Sequence, residues 1–153
     1  MGHYSVTVQA TSNSVANTED EFIELKAAAS TSLFLKRVRI SCATQGSDVD
    51  ITARIMSLSG SSAAGSASTP VKKRQLAPAA TSAAKVKATT TAMALGAGAS
   101  TIDQFDLNGR AIFEWIPRGN EEFIESASGG YLAIGIKVSS ASIVLDVTVE
   151  FEE

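Results

Sequence analysis

The sequence predicts an all-β chain, an antiparallel β-sandwich of jelly-roll type carrying one long ordered loop or arm. Three observations predict it. Apolar and polar residues alternate with period two in run after run, which is the pattern of half-buried strands. Small and branched side chains suited to a pleated surface dominate, while aromatic residues make up only 6% of the 153 positions, so the core is built from many small contributions. Pairs of turn-forming residues separate the runs at the spacing of a sandwich. No segment shows a sustained helical period, and the length fits one domain, 1–153.

The runs can be taken in order. Tyr4, Val6, Val8 and Ala10 share one face, with Ser5, Thr7 and Gln9 opposite. Ile23, Leu25 and Ala27 alternate with Glu24 and Lys26, and Glu19-Asp20-Glu21 reads as a polar approach to that strand. From Leu33 to Cys42 the pattern places Phe34, Val38, Ile40 and Cys42 together, interrupted by Lys36, with Arg37, Arg39 and Ser41 on the other side. Val49, Ile51, Ala53 and Ile55 then alternate with Asp50, Thr52 and Arg54.

The C-terminal third repeats the signal. Ala111, Phe113 and Trp115 oppose Ile112, Glu114 and Ile116 until Pro117, which has no N–H to give a ladder. Leu132, Ile134, Ile136 and Val138 form the next apolar face, and Ile143, Leu145, Val147, Val149 and Phe151 the last and cleanest. Asn108-Gly109, Gly119-Asn120, Gly129-Gly130 and Ser139-Ser140 mark turns between strands. Ala79 to Ala94 is ambiguous, since Ala and Lys favour helix and Thr89 to Thr91 favour strand; its latter part is assigned here as strand.

The long loop or arm spans 60–82. It opens with the low-complexity stretch Gly60 to Ser68 and continues through Thr69-Pro70-Val71-Lys72-Lys73-Arg74-Gln75-Leu76-Ala77-Pro78. This far exceeds the usual connection of about 4 to 6 residues, and loops of such length are disordered or functional. The expectation is an arm held in place by neighbouring surfaces.

Charge is divided along the chain. Gly60 to Gly98 carries five basic residues (Lys72, Lys73, Arg74, Lys85, Lys87) and no acid; Ala99 to Glu153 carries three basic residues against ten acids. One copy's basic segment could meet another copy's acidic end, although two separately solvated surfaces would leave the same pattern.

A search for chemistry leaves each candidate short of a partner. His3, the sole histidine, lies near the chain end. Ser82-Ala83-Ala84-Lys85 matches the S-x-x-K string without its companion motifs. Glu19-Asp20-Glu21 and the Glu121-Glu122 and Glu125 group lack the spacing for a calcium loop or the aromatics of a glycosidase. Gly96-Ala97-Gly98 is not a dinucleotide fingerprint, and Lys72-Lys73-Arg74 lacks the interleaved aromatics of a nucleic-acid footprint. Trp115 reads as core, and Cys42, alone, as a small buried hydrophobe. The N-terminus shows neither a secretory signal nor a myristoylation motif, since Val6 stands where Ser or Thr is wanted, and no run is long enough to span a membrane. Synthesis in the cytoplasm is expected.

The order Tyr4-Ser5-Val6-Thr7-Val8, Phe22 to Ala27, and Arg37-Val38-Arg39-Ile40, followed by Thr69-Pro70 to Leu76-Ala77-Pro78, Phe113 to Pro117, Glu121-Glu122, Gly129-Gly130-Tyr131-Leu132 and Val149 to Glu153, resembles the capsid decoration proteins of tailed bacteriophages. The resemblance covers most of the chain through short motifs. It implies a β-sandwich that cements a capsid by binding the major capsid protein, often as a homotrimer, on the surface of the virion. It implies no catalytic residue, cofactor, metal, nucleic acid, membrane or small-molecule substrate. The residues expected to make protein contacts are Pro70, Lys72, Lys73, Arg74, Leu76, Pro78, Glu150 and Glu152. Other classes remain open at this stage: a tail, neck or fibre component, a carbohydrate-binding module, which would want more exposed aromatics, and, least supported, an enzyme.

Overall fold

The computed structural model describes residues 2–29, 31–43, 48–74, 76–118, 123–125 (as backbone) and 130–153. The turns read at Gly119-Asn120 and at Gly129, and the acidic pair Glu121-Glu122 with the Glu125 side chain, lie outside the described residues. Twelve strands are described: β1 (His3–Thr11), β2 (Glu19–Lys26), β3 (Leu33–Cys42), β4 (Asp50–Leu58), β5 (Ser66–Ser68), β6 (Val71–Lys72), β7 (Ala83–Val86), β8 (Ser100–Asn108), β9 (Phe113–Trp115), β10 (Phe123–Glu125), β11 (Tyr131–Val138) and β12 (Val144–Glu152). They form two antiparallel sheets, one ordered β10-β3-β12-β1-β6 with β9 also on β3, the other ordered β5-β7-β2-β11-β4-β8.

The pairing follows a simple rule. β1 pairs with β12, β2 with β11, β3 with β9 and β10, and β4 with β8, so the chain is one long antiparallel hairpin folded over on itself. Rolling that hairpin brings β12 beside β3 and β11 beside β4, which completes the two sheets. This is the jelly-roll arrangement. The insertion between β4 and β8 adds β5 and β7 to the β2 side of one sheet and β6 to the β1 side of the other.

The alternating faces predict the core well. Tyr4, Val6 and Ala10 meet Val38 and Ile40 of β3, Ile51 and Ile55 of β4, Leu132, Ile134 and Ile136 of β11, and the unbroken Leu145, Val147, Val149 and Phe151 face of β12, all buried. Tyr4 and Phe151, neighbours in register, stack at 5.5 Å between ring centroids, and the Tyr4 hydroxyl donates to the Pro78 carbonyl at 3.1 Å. Half-buried Cys42 packs against the same core.

Strict alternation fails where a strand carries one residue too many. Glu150 pairs with Arg37 and Phe151 with Leu35, so Lys36 is a bulge. Leu33 and Leu35 therefore enter the core, and Phe34 is only half-buried, against the predicted inward Phe34. A second bulge at Phe22 makes Glu19-Asp20-Glu21 part of β2, with Asp20 and Glu21 buried, and corrects their reading as a polar approach.

Two further readings change. The strand within Ala79 to Ala94 is Ala83–Val86, held by the free edge of β2, whereas Thr89 to Thr91 is irregular. After Val86 the chain turns because Lys87, itself buried, places its ammonium 3.1 Å from buried Asp20 and donates to Thr91 O. Ser100–Asn108, a nine-residue strand, was not predicted: its polar composition suits an edge strand, and its burial is intermediate only at Asp103, Phe105 and Leu107.

Truncating Phe151 to Ala removes a fully buried ring from the centre of this core and is expected to cost about 3 to 5 kcal/mol. Tyr4→Phe, which removes only the bond to Pro78, is expected to cost about 1 kcal/mol. Urea unfolding curves of the two variants should rank them in that order.

Candidate functional site

Six of the contact residues expected from sequence, Pro70, Lys72, Lys73, Arg74, Leu76 and Pro78, lie along one edge of the sandwich, and the other two, Glu150 and Glu152, lie on β12 inside the sheet. After β5, Thr69-Pro70 carries the chain from one sheet to the other, and Val71 and Lys72 add β6 beside Tyr4 and Ser5. Lys73 N–H donates to His3 O, and the Lys73 ammonium lies 2.8 Å from Glu150 Oε1. Ala77 N–H donates to Arg74 O at 3.1 Å, closing a tight turn on which Leu76 is 100% exposed. Pro78, also exposed, is fastened through its carbonyl to Tyr4. The arm is thus laid along its own sandwich, and its apolar tip stands free of it.

Glu150 is the fastener on the outer face. It is buried beside two cations, Lys73 from the arm and Arg37 from β3, with His3 Nε2 at 3.3 Å from its Oε2. Burial opposes its ionisation, but hydrogen bonds and attraction from Lys73 and Arg37 outweigh that and hold the carboxyl below its ordinary value. Arg37 reaches on to Glu114 of β9 at 3.1 Å, so a row of charges crosses the sheet from the arm to the opposite edge. Glu152 pairs separately with Lys36 at 3.4 Å. Of the predicted contact residues, Lys72, Arg74, Leu76 and Pro78 face solvent, Pro70 and Glu152 are half-buried, and Lys73 and Glu150 are engaged within the chain.

The outer face of the other sheet is covered by the insertion. Met56, Leu58 and Ala133 form a small second core, and Met93 is buried as well. Gly96 is forced by this cover, because a Cβ there would meet Gly60 O at 2.2 Å. Beneath it lie two buried carboxylates. Glu24 accepts from the Ser61 hydroxyl at 2.6 Å and Ser62 N–H at 2.8 Å, while Glu21 accepts from Gly96 N–H at 3.2 Å. Burial, with Glu24 adding repulsion and a hydrogen bond against the Gly96 bond and Lys85, pushes Glu21 up to about 8. The Gly96-Ala97-Gly98 string is therefore a loop contact: Ser59 and Gly60 N–H both donate to Ala97 O.

The S-x-x-K string resolves similarly. Ser82 is buried before β7 with its hydroxyl accepting from Ala28 N–H, and Lys85 points to Ser61 Oγ and Ser62 O. Among the described residues no group of three or more His, Cys, Asp or Glu is placed to hold a metal ion.

A feature that sequence reading missed lies at the far edge. Trp115 pairs with Val38, Ile116, Pro117 and Arg118 after it lie outside the ladder, and β3 next pairs with Phe123 opposite Leu35. Beside this departure is a cavity of about 370 Å³ lined by Asp103, Phe113, Trp115, Ile116 and Pro117, with Glu114 and Arg118. Phe105 and Phe113 stack at 4.4 Å, and the Trp115 indole N–H donates to Asp103 at 3.0 Å, so the wall ties the two sheets together. Ile116 of the lining and Ile112, which precedes Phe113 in the chain, are both exposed. Their alternation with Phe113 and Trp115 was the available signal.

Two outcomes follow. Because Glu21 is raised from 4.5 to about 8, the folded state keeps a proton there that the unfolded chain has lost; its contribution to stability is full below about 4.5, declines as pH rises and levels off above about 8. Glu21→Gln should flatten that slope in denaturation measured across the window. For Glu150 the sign is opposite, with stability present at neutral pH and lost on acidification through its lowered value. Glu150→Gln should loosen the arm, read as faster tryptic cleavage after Lys73 and Arg74 with the remaining strands intact.

No protein-family model and no curated protein matches the chain. Among solved structures the chain is similar to one in the 2.6 Å structure of Infectious Bursal Virus derived T=1 particles, at 13% identity and a TM-score of 0.20, with 98% of this chain and 39% of that chain covered. This chain therefore spans about two fifths of the length of that one. A likeness at that TM-score shows neither a shared fold nor a shared function.

Proposed function

We propose that this chain is a structural virion protein that decorates and stabilises a phage capsid by binding surfaces of the major capsid protein, working as a homo-oligomer and without catalysis. The observation that carries the reading is where exposed apolar residues fall. Among the described residues the exposed large apolar side chains are Val15, Val71, Leu76, Ile102, Ile112 and Ile116. Val71 and Leu76 belong to the arm edge, and Ile102, Ile112 and Ile116 to the β8–β9 edge, whereas the exposed face of β1 and β12 between them carries polar pairs such as Thr7 with Thr148 and Gln9 with Asp146. Apart from Val15 between β1 and β2, the exposed large apolar side chains thus sit at the edges of the block, an arrangement that suits lateral packing against other subunits.

The resemblance to phage decoration proteins gives that block its partner. A cementing role needs area, geometry and many repeated weak contacts, which sum through avidity, and it makes no demand for a tuned acid or base. The basic arm, with exposed Lys72 and Arg74 around Leu76, supplies charge that steers docking onto an acidic neighbour.

Gold-labelled antibody against this chain, applied to virions of the encoding phage under the electron microscope, should mark heads evenly. Label on the tail, neck or fibres would assign the chain to those structures, and unlabelled virions would remove it from the particle altogether.

A further inference from the structure

The geometry points to a second copy of this chain as the occupant of the cavity at the β8–β9 edge, entering with its Leu76 turn. The inference deepens the proposed function and rests on its homo-oligomeric part. It begins from two unmatched features at opposite ends of one block. At one end the Arg74–Ala77 turn holds out a fully exposed leucine. At the other, Phe113, Trp115, Ile116 and Pro117 wall a cavity of about 370 Å³, within the range of roughly 300 to 1,000 Å³ that receives small ligands and ample for one aliphatic side chain with its turn.

Leu76 cannot fill the cavity of its own chain. In the sheet ordered β10-β3-β12-β1-β6 the arm and the cavity sit at opposite edges, four strand spacings or roughly 20 Å apart. The arm is also pinned at its own edge on both sides of the turn, by β6 on Tyr4 and Ser5 and by Pro78 O on the Tyr4 hydroxyl. Only another copy can bring a Leu76 turn to this cavity.

Charge supports the same match. Exposed Lys72 and Arg74 flank the knob, whereas Asp103 and Glu114 stand in the cavity wall, with Arg118 the opposing charge. On the larger scale the segment holding the knob is wholly basic in its charged residues, and the segment holding the cavity carries ten acids against three bases. Within each copy Glu114 is also joined to the arm side through Arg37, Glu150 and Lys73, so one row of ion pairs ties the cavity wall to the arm of the same chain.

Knob and cavity on opposite edges make a head-to-tail contact, which closes into a ring when the rotation between copies allows and otherwise grows as an open chain. A pair joined by one such contact would leave one knob on one copy and one cavity on the other unused, and an isologous pair would require both edges of each copy to face the other at once.

The test uses the full chain with Cys42→Ser and single cysteines at Leu76→Cys or Ile116→Cys. Mild oxidation of the two variants mixed should give a disulfide-linked pair that neither gives alone, and the doubly substituted chain should give covalent head-to-tail oligomers, closed rings or open chains. In sedimentation, Leu76→Asp should weaken self-association about 10- to 100-fold, as expected for removing one buried leucine contact, and high salt should weaken the unsubstituted chain. A monomeric unsubstituted chain, cross-links only between like cysteines, or association untouched by Leu76→Asp would each overturn the inference. A chain that self-associates through Leu76 but leaves heads bare refutes the capsid reading alone; a monomer that still coats heads refutes this one alone.

Discussion

The position of β12 between β1 and β3 governs the molecule. The strand contributes Leu145, Val147, Val149 and Phe151 to the core on one face, and on the other the carboxylate of Glu150 that gathers Lys73, Arg37 and His3. Its partners come from residues 3–11 and 34–42, so the central ladders of this sheet join the two ends of the chain. Neither face of the sheet is complete until the last strand arrives. Such non-local pairing carries a loop-closure cost before any contact repays it, which places the fold among slow-forming topologies.

A rolled hairpin leaves strand edges, and exposed edges invite pairing with other chains. Here the insertion between β4 and β8 covers one side of the block by sending β5 and β7 to one sheet and β6 to the other. On the opposite side, stacking of Phe105 on Phe113 and the Trp115 bond to Asp103 join the sheets. The strands left at the sheet edges are β5, β6, β8 and β10, and exposed apolar side chains, among them Leu76, Ile112 and Ile116, lie at or near these edges. Recognition through side chains in pockets is more selective than open ladder pairing, because shape and charge must both match.

The buried acidic side chains, Glu21 among them in its protonated form, have a structural meaning. Asp20 with Lys87, Glu24 with Ser61 and Ser62, and Glu21 with Gly96 each fasten a stretch of the insertion to β2. Buried ions are costly unless paired or hydrogen-bonded, so these contacts fix where the covering loops sit more than they add net stability. Glu150 does the same for the arm. The long insertion is held by a few polar fasteners rather than by an extensive core of its own.

Period two was enough to read the main strands and most of the core, because a one-residue slip in a half-buried strand exposes its whole apolar face. Val6, Ile40, Ile55, Ile134 and Val149 are buried as their alternation requires. The low-complexity arm and its basic triplet were also plain in the sequence. Tertiary structure alone decided the bulges at Phe22 and Lys36, since these depend on the register of a distant partner, and with them the burial of Glu21 and the outward turn of Phe34. It alone decided the strand at Ser100–Asn108, whose polar edge position leaves little apolar signal. The cavity beside Trp115 was out of reach for the same reason: it exists where two strands from different sheets meet and one of them leaves its ladder, a relation between elements that no local pattern encodes.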